Sequence, residues 1–372
     1  MLLELEHSQF RIALPLLEVF DYSLSIQATV EGNNPGRIFV DQLDHPRLAF
    51  ALTVEGYFLA GESGDPEINR SLRHFLKERI FSGEVFVNGD ESLSLAVHPE
   101  SWEDRLPELI PGYEAEKLPR YHYLCRKVEY DWCNHVPEGY YVRQLDNALL
   151  YNPTIHFTGP LSNWMEIEQM WGSIDNFLAN GISYCILTGD QVVAWCTSDC
   201  MAGDRIDVGV ITHPKHRRRD LAKVVVAATV EHCLRHGFKA VGWHCNVENR
   251  PSWKTAERVG FHKNREYNYY YYMYDLIDHL AELGWCHYRH ADYARAAKYY
   301  EQVFSGRADN PDYYYHLAAS AYAIMGNHEK ALEYLAAAID HGWEDLEFTM
   351  EQEEFRFLIN SPEWSAILHN SR

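Results

Sequence analysis

Hydrophobic and polar positions fall into three successive patterns along the chain. Up to about residue 130, short apolar runs alternate with turns and one amphipathic stretch. Ile38-Phe39-Val40 follows the turn sequence Asn33-Asn34-Pro35-Gly36. Ala49–Val54 and Tyr57–Ala60 flank Glu55-Gly56, which predicts two strands joined by a hairpin turn. After Pro66, Ile68, Leu72, Phe75, Leu76 and Ile80 recur at helical spacing and predict a helix. Glu84–Val87 reads as a further strand, and His98–Pro119, interrupted by prolines, as loops around a short helix.

From Pro137-Glu138-Gly139-Tyr140 onward, strands and helices alternate. Tyr184–Leu187, Val192–Ser198 and Ile206–Ile211 read as strands, the first two joined by Gly189-Asp190. A helix is predicted over Asp220 to His236, with Leu221, Val224, Val225 and Ala228 on one face and Gly237 ending it. Ala240–Cys245 follows as a strand, Pro251–Val259 as a helix closed by Gly260, and Tyr267–Tyr274 as an aromatic strand. That order implies an α/β sheet with a ligand crevice at strand ends.

From about Leu276 the period is helical throughout. Ala281–His290, Tyr293–Phe304, Tyr313–Met325 and His328–His341 form two helix pairs with short turns, followed by the segment Trp343–Leu368. Setting Ala296 against Ala331 aligns Gly284 with Ala319, Tyr299 with Tyr334, Tyr300 with Leu335 and Val303 with Ala338. This internal repeat is close to the tetratricopeptide period.

Composition narrows the function. Thirty-three Lys and Arg against 54 Asp and Glu give a formal charge of −21. Such a chain is a poor polyanion binder, so no nucleic-acid partner is expected; the acidic surface suits cationic partners such as amines, but a merely soluble protein has the same balance, and that is the plainer reading. Met1–His7 has no signal-peptide pattern, and no apolar run reaches membrane-spanning length, so a cytoplasmic protein without membrane association is expected. The eight cysteines show no paired spacing, and His232 and His236 lack further ligands; no metal site is expected.

Within this acidic chain, Val208-Gly209-Val210-Ile211-Thr212-His213-Pro214 runs into Lys215-His216-Arg217-Arg218-Arg219-Asp220-Leu221-Ala222. A strand ends, a basic turn follows, and a helix opens. Unpaired N–H groups at a helix start, with added arginines, suit a pyrophosphate.

Pro214, Arg217, Asp220, Leu221 and Ala222 resemble the Arg/Gln-x-x-Gly-x-Gly/Ala turn of the GNAT superfamily of N-acetyltransferases. Asn249, Ser252 and Gly260-Phe261 resemble that family's second element, with the Ala240–Cys245 strand between them. Gly36–Asp41, Pro46, Tyr57–Gly61, Trp243-His244-Cys245 and Asn249–Ser252 are similar to the group that includes zwittermicin-resistance-type acetyltransferases. The likeness covers roughly the first three quarters of the chain. It implies a mixed α/β GNAT fold with an N-terminal α/β subdomain (1–130) and an acetyltransferase domain (131–275), ahead of the C-terminal all-α helical-repeat region (276–372) that the internal repeat predicts. It also implies acetyl-CoA as cofactor. Val210, Ile211, Thr212, Arg217, Arg218, Arg219, Asp220, Leu221, Ala222, Asn249 and Ser252 are the corresponding cofactor-side residues.

Two positions depart from the family. Asp220 stands where the motif has glycine, either as a helix N-cap or facing the phosphates. Ala256 stands where the family's acid is tyrosine. Catalytic candidates are therefore His244 and Asp207 as bases, on strands beside the crevice, and Tyr267 among the tyrosines of the next strand (Tyr267, Tyr269, Tyr270, Tyr271, Tyr272) as acid. Each has a structural reading beside the functional one: sheet packing for the tyrosines, an ion pair for Asp207, a strand histidine for His244. Two functions remain. One is transfer of an acetyl group to a small-molecule or peptide amine by direct attack. The other is a catalytically impaired scaffold that docks a protein partner, or a second copy of itself, through residues 276–372.

Overall fold

The computed structural model describes residues 2–87, 91–162, 164–357, 361, 362 and 364. Thirteen strands are found among them: β1 (Leu3–Glu4), β2 (Gly36–Val40), β3 (Leu48–Thr53), β4 (Gly56–Gly61), β5 (Ser92–His98), β6 (Glu116–Cys125), β7 (Tyr141–Gln144), β8 (His156–Phe157), β9 (Ser183–Thr188), β10 (Gln191–Ala202), β11 (Arg205–Thr212), β12 (Ala240–Asn246) and β13 (His262–Met273). They form one sheet in the order β1-β2-β3-β4-β5-β13-β6-β12-β11-β10-β9-β7, with β8 beside β10. The chain divides into two compact units, 1–271 and 272–372. The first is the mixed α/β sheet expected of the GNAT fold, and the second is helical.

In the first unit, the helix Leu221–Arg235 covers the sheet over β9, β10 and β11. Its Val224-Val225-Val226 run consists of poor helix formers, because branching at Cβ restricts χ1. All three are fully buried, together with Ala227 and Val230. Burial of each valine contributes roughly 1.5–3 kcal/mol, against a propensity cost of less than about 1 kcal/mol, so packing decides the helix. A second core lies under β2–β4, where Ile38, Ala49, Ala51 and Phe58 meet Phe10, Leu17 and Phe20.

Two readings of the N-terminal region are corrected. Glu84–Val87 is irregular rather than a strand, whereas Ser92–His98 and Glu116–Cys125 are strands. Pro119 disguised β6, since proline normally marks a break. Here it sits one residue outside the ladder with β12, which starts at the pair Asn246–Arg120, and its carbonyl accepts from Val247 N–H at 3.0 Å.

The second unit contains the helices Leu276–Arg289, Tyr293–Gly306, Asp312–Ile324, His328–Asp340 and Leu346–Glu351. Asp275 starts the first of them by accepting from the Ile277 and Asp278 amides at 2.8 and 3.0 Å. The repeat positions Ala296, Ala331, Ala319, Tyr300, Leu335, Val303 and Ala338 are fully buried. Gly284 is buried as well, and a Cβ there would crowd the Tyr300 ring at 3.1–3.2 Å. Leu368, within the segment predicted to close this region, lies outside the described residues.

Candidate active site

The basic turn after β11 brings a row of amides to a helix start. His213–His216 makes one tight turn, Arg217 is extended, and Arg218 and Asp220 take φ of 61° and 63°. The left-handed region costs an ordinary residue roughly 1–2 kcal/mol, and aspartate is among those that tolerate it best. The first helical bond runs from Val224 N–H to Asp220 C=O at 3.2 Å, so the Leu221, Ala222 and Lys223 amides precede the hydrogen-bonded ladder. Leu221 can contribute only its backbone, because its side chain is in the core.

Asp220 does not act as the side-chain N-cap that its residue type suggests; no such bond is made. It reproduces the backbone angle a glycine would give, and its carboxylate turns to Lys223 Nζ at 2.9 Å. Arg217, Arg218 and Arg219 are exposed around the turn. Arg217 Nε donates to the Thr212 carbonyl at 3.3 Å, and Arg219 donates to the Tyr140 hydroxyl at 2.9 Å.

A notch opens beside this turn. β11 pairs in parallel with β12 only from Arg205–Asp207 to Ala240–Gly242, while its antiparallel ladder with β10 continues to Thr212. Beyond Asp207 the two parallel strands diverge. The edge of Val208–Thr212 that faces away from β10 therefore has no strand beside it, which leaves backbone groups of Val210, Ile211 and Thr212 open to a ligand. A bulge in β10 between Ser198 and Cys200 inserts Asp199 on the same side of the sheet as Gly209.

At the base of the notch is a cavity of about 380 Å³ whose lining includes Glu55, Arg120, Asp207, His244, Tyr267 and Tyr269. The three catalytic candidates from the sequence thus lie together. His244 Nδ1 is 2.9 Å from the Tyr267 hydroxyl, and its Nε2 is 3.5 Å from Asp207 Oδ2, close enough for an ion pair but without hydrogen-bond geometry. Asp207 is 1 % exposed, and neither of its oxygens has a hydrogen-bond partner among the described residues; nor does His244 Nε2. A buried carboxylate so placed carries an unmet demand for a cation or a donor.

The neighbours sharpen this demand. Glu55, in the turn between β3 and β4, brings a carboxylate oxygen within 4.8 Å of both Asp207 and Cys200 Sγ. Burial pushes the Glu55 carboxyl above the ordinary carboxylate range; His244 opposes the shift and Asp207 adds to it. His122 stacks on His244 with centroids 4.6 Å apart. Burial drives the pKa of His122 down to about 2, and the nearby His244 adds to that, so His122 stays neutral. Burial also raises the Tyr267 pKa, which keeps its hydroxyl protonated. The Arg120 guanidinium lies over the Tyr269 ring at 5.2 Å, and the Tyr269 hydroxyl donates to the Glu55 carbonyl at 3.2 Å.

The remaining candidates separate. Tyr267 and Tyr269 share the cavity face of β13. Tyr270 points away, with Lys117 Nζ 5.5 Å from its ring, and Tyr272 packs on His279 in the second unit. Asn249 caps the helix Arg250–Val259 by accepting from Ser252 N–H at 3.2 Å, and the Ser252 hydroxyl accepts from Trp243 Nε1 at 3.1 Å. Ala256 is fully buried. His232 and His236 stack at 3.9 Å, and His232 Nδ1 meets the Tyr184 hydroxyl at 3.0 Å. Glu55, Arg120, His122 and Cys200 escaped the sequence reading. Glu55 looked only like a turn residue, and nothing in local pattern says that a turn near the N-terminus reaches a site built by β11–β13.

The site thus combines a divergent pair of parallel strands, a phosphate-suited turn and a cavity of titratable groups. The family model for GNAT acetyltransferases matches residues 15–270, and the chain belongs to that family. It is similar to the uncharacterized N-acetyltransferase YdfB of Bacillus subtilis (strain 168), with 23% identity over 238 residues, 64% of this chain and 85% of YdfB. Among solved structures it resembles a GCN5-related N-acetyltransferase-like protein from Streptococcus suis 89/1591. That match has a TM-score of 0.52 and 23% identity, covering 71% of this chain and 98% of the other. No helix among the described residues is long and apolar enough to cross a membrane.

Proposed function

We propose that this acetyltransferase moves an acetyl group from acetyl-CoA to the primary amine of a small molecule, by direct attack in a ternary complex at the notch between β11 and β12. The observation that carries the reading is Asp207, buried, without a hydrogen-bond partner, and 3.5 Å from a histidine that is itself 2.9 Å from a tyrosine hydroxyl. A cavity of about 380 Å³ is of small-molecule size, which favours a small acceptor over a protein. The likeness of the β2–β4 region to the zwittermicin-resistance group agrees with this, since the turn between β3 and β4 supplies Glu55.

The residues present suit coenzyme A. The amides of Leu221, Ala222 and Lys223, with Arg217, Arg218 and Arg219, would hold its pyrophosphate. The open edge at Val210, Ile211 and Thr212 would pair with its extended arm, and Asn249 and Ser252 border the same side. When bound, acetyl-CoA supplies the thioester. A backbone N–H of the open edge would stabilise the oxygen that becomes negative during attack.

Asp207, with Glu55 beside it, draws the acceptor in as an ammonium, which gives up two protons over the reaction. One leaves through the carboxylate pair to water and exposes the nucleophilic lone pair. The other goes to His244 Nε2 as the C–N bond forms and the C–S bond breaks, and Asp207 stabilises the resulting imidazolium. Tyr267 passes its hydroxyl proton to the departing sulfur and regains one from His244 Nδ1–H, so the site ends with no net proton gained. An imidazolium hydrogen-bonded to the Tyr267 oxygen makes that hydroxyl a stronger acid at the moment it is needed.

The rival scaffold reading drew on Asp220 and Ala256. Asp220 supplies glycine's backbone angle and Tyr267 supplies a hydroxyl, so both observations now favour the enzyme. The test is the steady-state rate of His244→Gln and Tyr267→Phe with an alkylamine. Each is expected to lose 10²–10⁴-fold, about the range of general acid–base catalysis, with coenzyme A affinity unchanged. Wild-type rates in both variants would overturn the assignment.

A further inference from the structure

The helical unit contains a second cavity, of about 520 Å³, lined by residues of the helices Leu276–Arg289, Tyr293–Gly306, Asp312–Ile324 and Leu346–Glu351 together with Trp343. Its wall is mostly aromatic. Trp285 stacks on Tyr288 with centroids 6.0 Å apart and 10° between the planes, and Tyr313 meets Tyr314 edge-on at 4.6 Å. Trp285, Tyr313 and Phe348 are 39%, 47% and 46% exposed, so large rings are left facing water. Such rings present negative faces to whatever enters.

Three acceptors of this wall lack a donor among the described residues. Among the described residues Glu282 is its only carboxyl group; it makes no hydrogen bond and no ion pair, burial raises its pKa and the charge of Arg289 opposes the rise. The buried Oε1 of Gln352 and the hydroxyl of Tyr300, itself fully buried, have no partner among the described residues. Among the described residues, no Lys or Arg lines the cavity. The one imidazole there, His316, is held neutral by burial, with its pKa pushed down to about 4. A site with aromatic faces, one carboxyl group without a direct partner and a spare carbonyl acceptor selects a cation that carries N–H donors and an apolar stem. The surroundings reinforce the sign: residues 272–372 hold seventeen Asp and Glu against seven Lys and Arg.

We propose that this aromatic cavity is a binding site for an aliphatic primary ammonium ligand, held by Glu282 and the rings around Trp285, separate from the acetyl-transfer site and independent of the mechanism assigned there. The probe is n-hexylammonium, titrated calorimetrically into the full chain without acetyl-CoA. Hexanol serves as the neutral control of the same length, and circular dichroism confirms that each variant is folded. Glu282→Gln and Trp285→Ala are each expected to weaken hexylammonium binding by about ten-fold or more, the size of a desolvated cation–aromatic contact. Asp207→Asn is expected to leave this binding in place, and hexanol is expected to bind far more weakly. Four results would overturn the proposal: no hexylammonium binding, equal binding of hexanol, wild-type binding in the folded Glu282→Gln variant, or binding that Asp207→Asn removes and Glu282→Gln does not.

Discussion

Gly242 lies directly across the parallel ladder from Asp207, and the Asp207 carboxylate occupies the space that a side chain at 242 would fill. A Cβ there would overlap Asp207 Oδ1. The glycine is the floor on which the buried carboxylate rests, at the last pair before β11 and β12 diverge. Replacing Gly242 with alanine is therefore expected to displace the carboxylate by about an ångström and to lower acetyl transfer about 10²-fold. Overpacking would cost stability of roughly 1–3 kcal/mol. Coenzyme A affinity, which the turn before Leu221 is proposed to set, is expected to hold. Rate assays and calorimetry on the folded variant check both halves.

Glu55 gives a prediction about stability. Its carboxyl pKa is raised by burial, so the folded state holds a proton that the unfolded state releases. Stability conferred by the neutral form is present below the ordinary carboxylate range and is lost as pH rises through the raised value. Glu55→Gln should accordingly be more stable than wild type at neutral pH, with the difference shrinking as pH falls below the usual carboxylate pKa. The same variant should raise KM for an amine acceptor, since the carboxyl group that meets the amine beside Asp207 is gone. Thermal unfolding against pH and amine kinetics test the pair; a variant less stable at neutral pH would contradict it.

Asp220 holds a left-handed backbone angle at the start of the helix Leu221–Arg235. Asp220→Gly is expected to gain up to about 1 kcal/mol by relieving that angle, and to tighten coenzyme A binding by removing a carboxylate from the turn. Asp220→Ala should lose stability, because alanine adopts the angle less readily than aspartate. Denaturant midpoints and coenzyme A titrations of the two variants decide it.

His316, in the second unit, stacks on Trp343 at 4.2 Å and meets the Thr349 hydroxyl at 3.1 Å. Its pKa is pushed down to about 4 by burial. The unfolded chain takes up this proton first on acidification, so stability is lost as pH falls from the ordinary histidine range towards 4. A shift of that size amounts to a loss on the order of 3 kcal/mol. His316→Gln should flatten this part of the pH–stability curve, and equal slopes for the two proteins would refute the assignment.

The sequence made the second half of the acetyltransferase unit legible because two motifs and a 3.6-residue period coincide there. The Leu221–Arg235 helix, the strand to Thr212 and the Ala240–Asn246 strand lie where the pattern puts them. His244, Asp207 and Tyr267 were nameable as separate strand residues. Their meeting in one cavity depends on β6 running between β12 and β13, and that strand was hidden by Pro119. Glu55 and His122 were invisible as well. Glu55 sits in a local hairpin turn with nothing to mark it, and His122 lies on β6, whose partners β12 and β13 are more than a hundred residues away in sequence, so no local periodicity encodes which edge that strand will join. Asp220 looked like a cap and proved to be a glycine substitute, because a side chain's capping ability says nothing about the φ its own backbone must adopt.

The central claim is that Asp207, His244 and Tyr267 work as one proton path beside a coenzyme A turn. Its most direct test is the turnover of an alkylamine by wild type and Asp207→Asn at saturating acetyl-CoA, with coenzyme A affinity measured on both proteins. Measurable turnover by wild type, reduced 10²-fold or more (about the lower end for acid–base catalysis) in a variant that binds coenzyme A normally, is the predicted result. Undiminished turnover in the variant would contradict it.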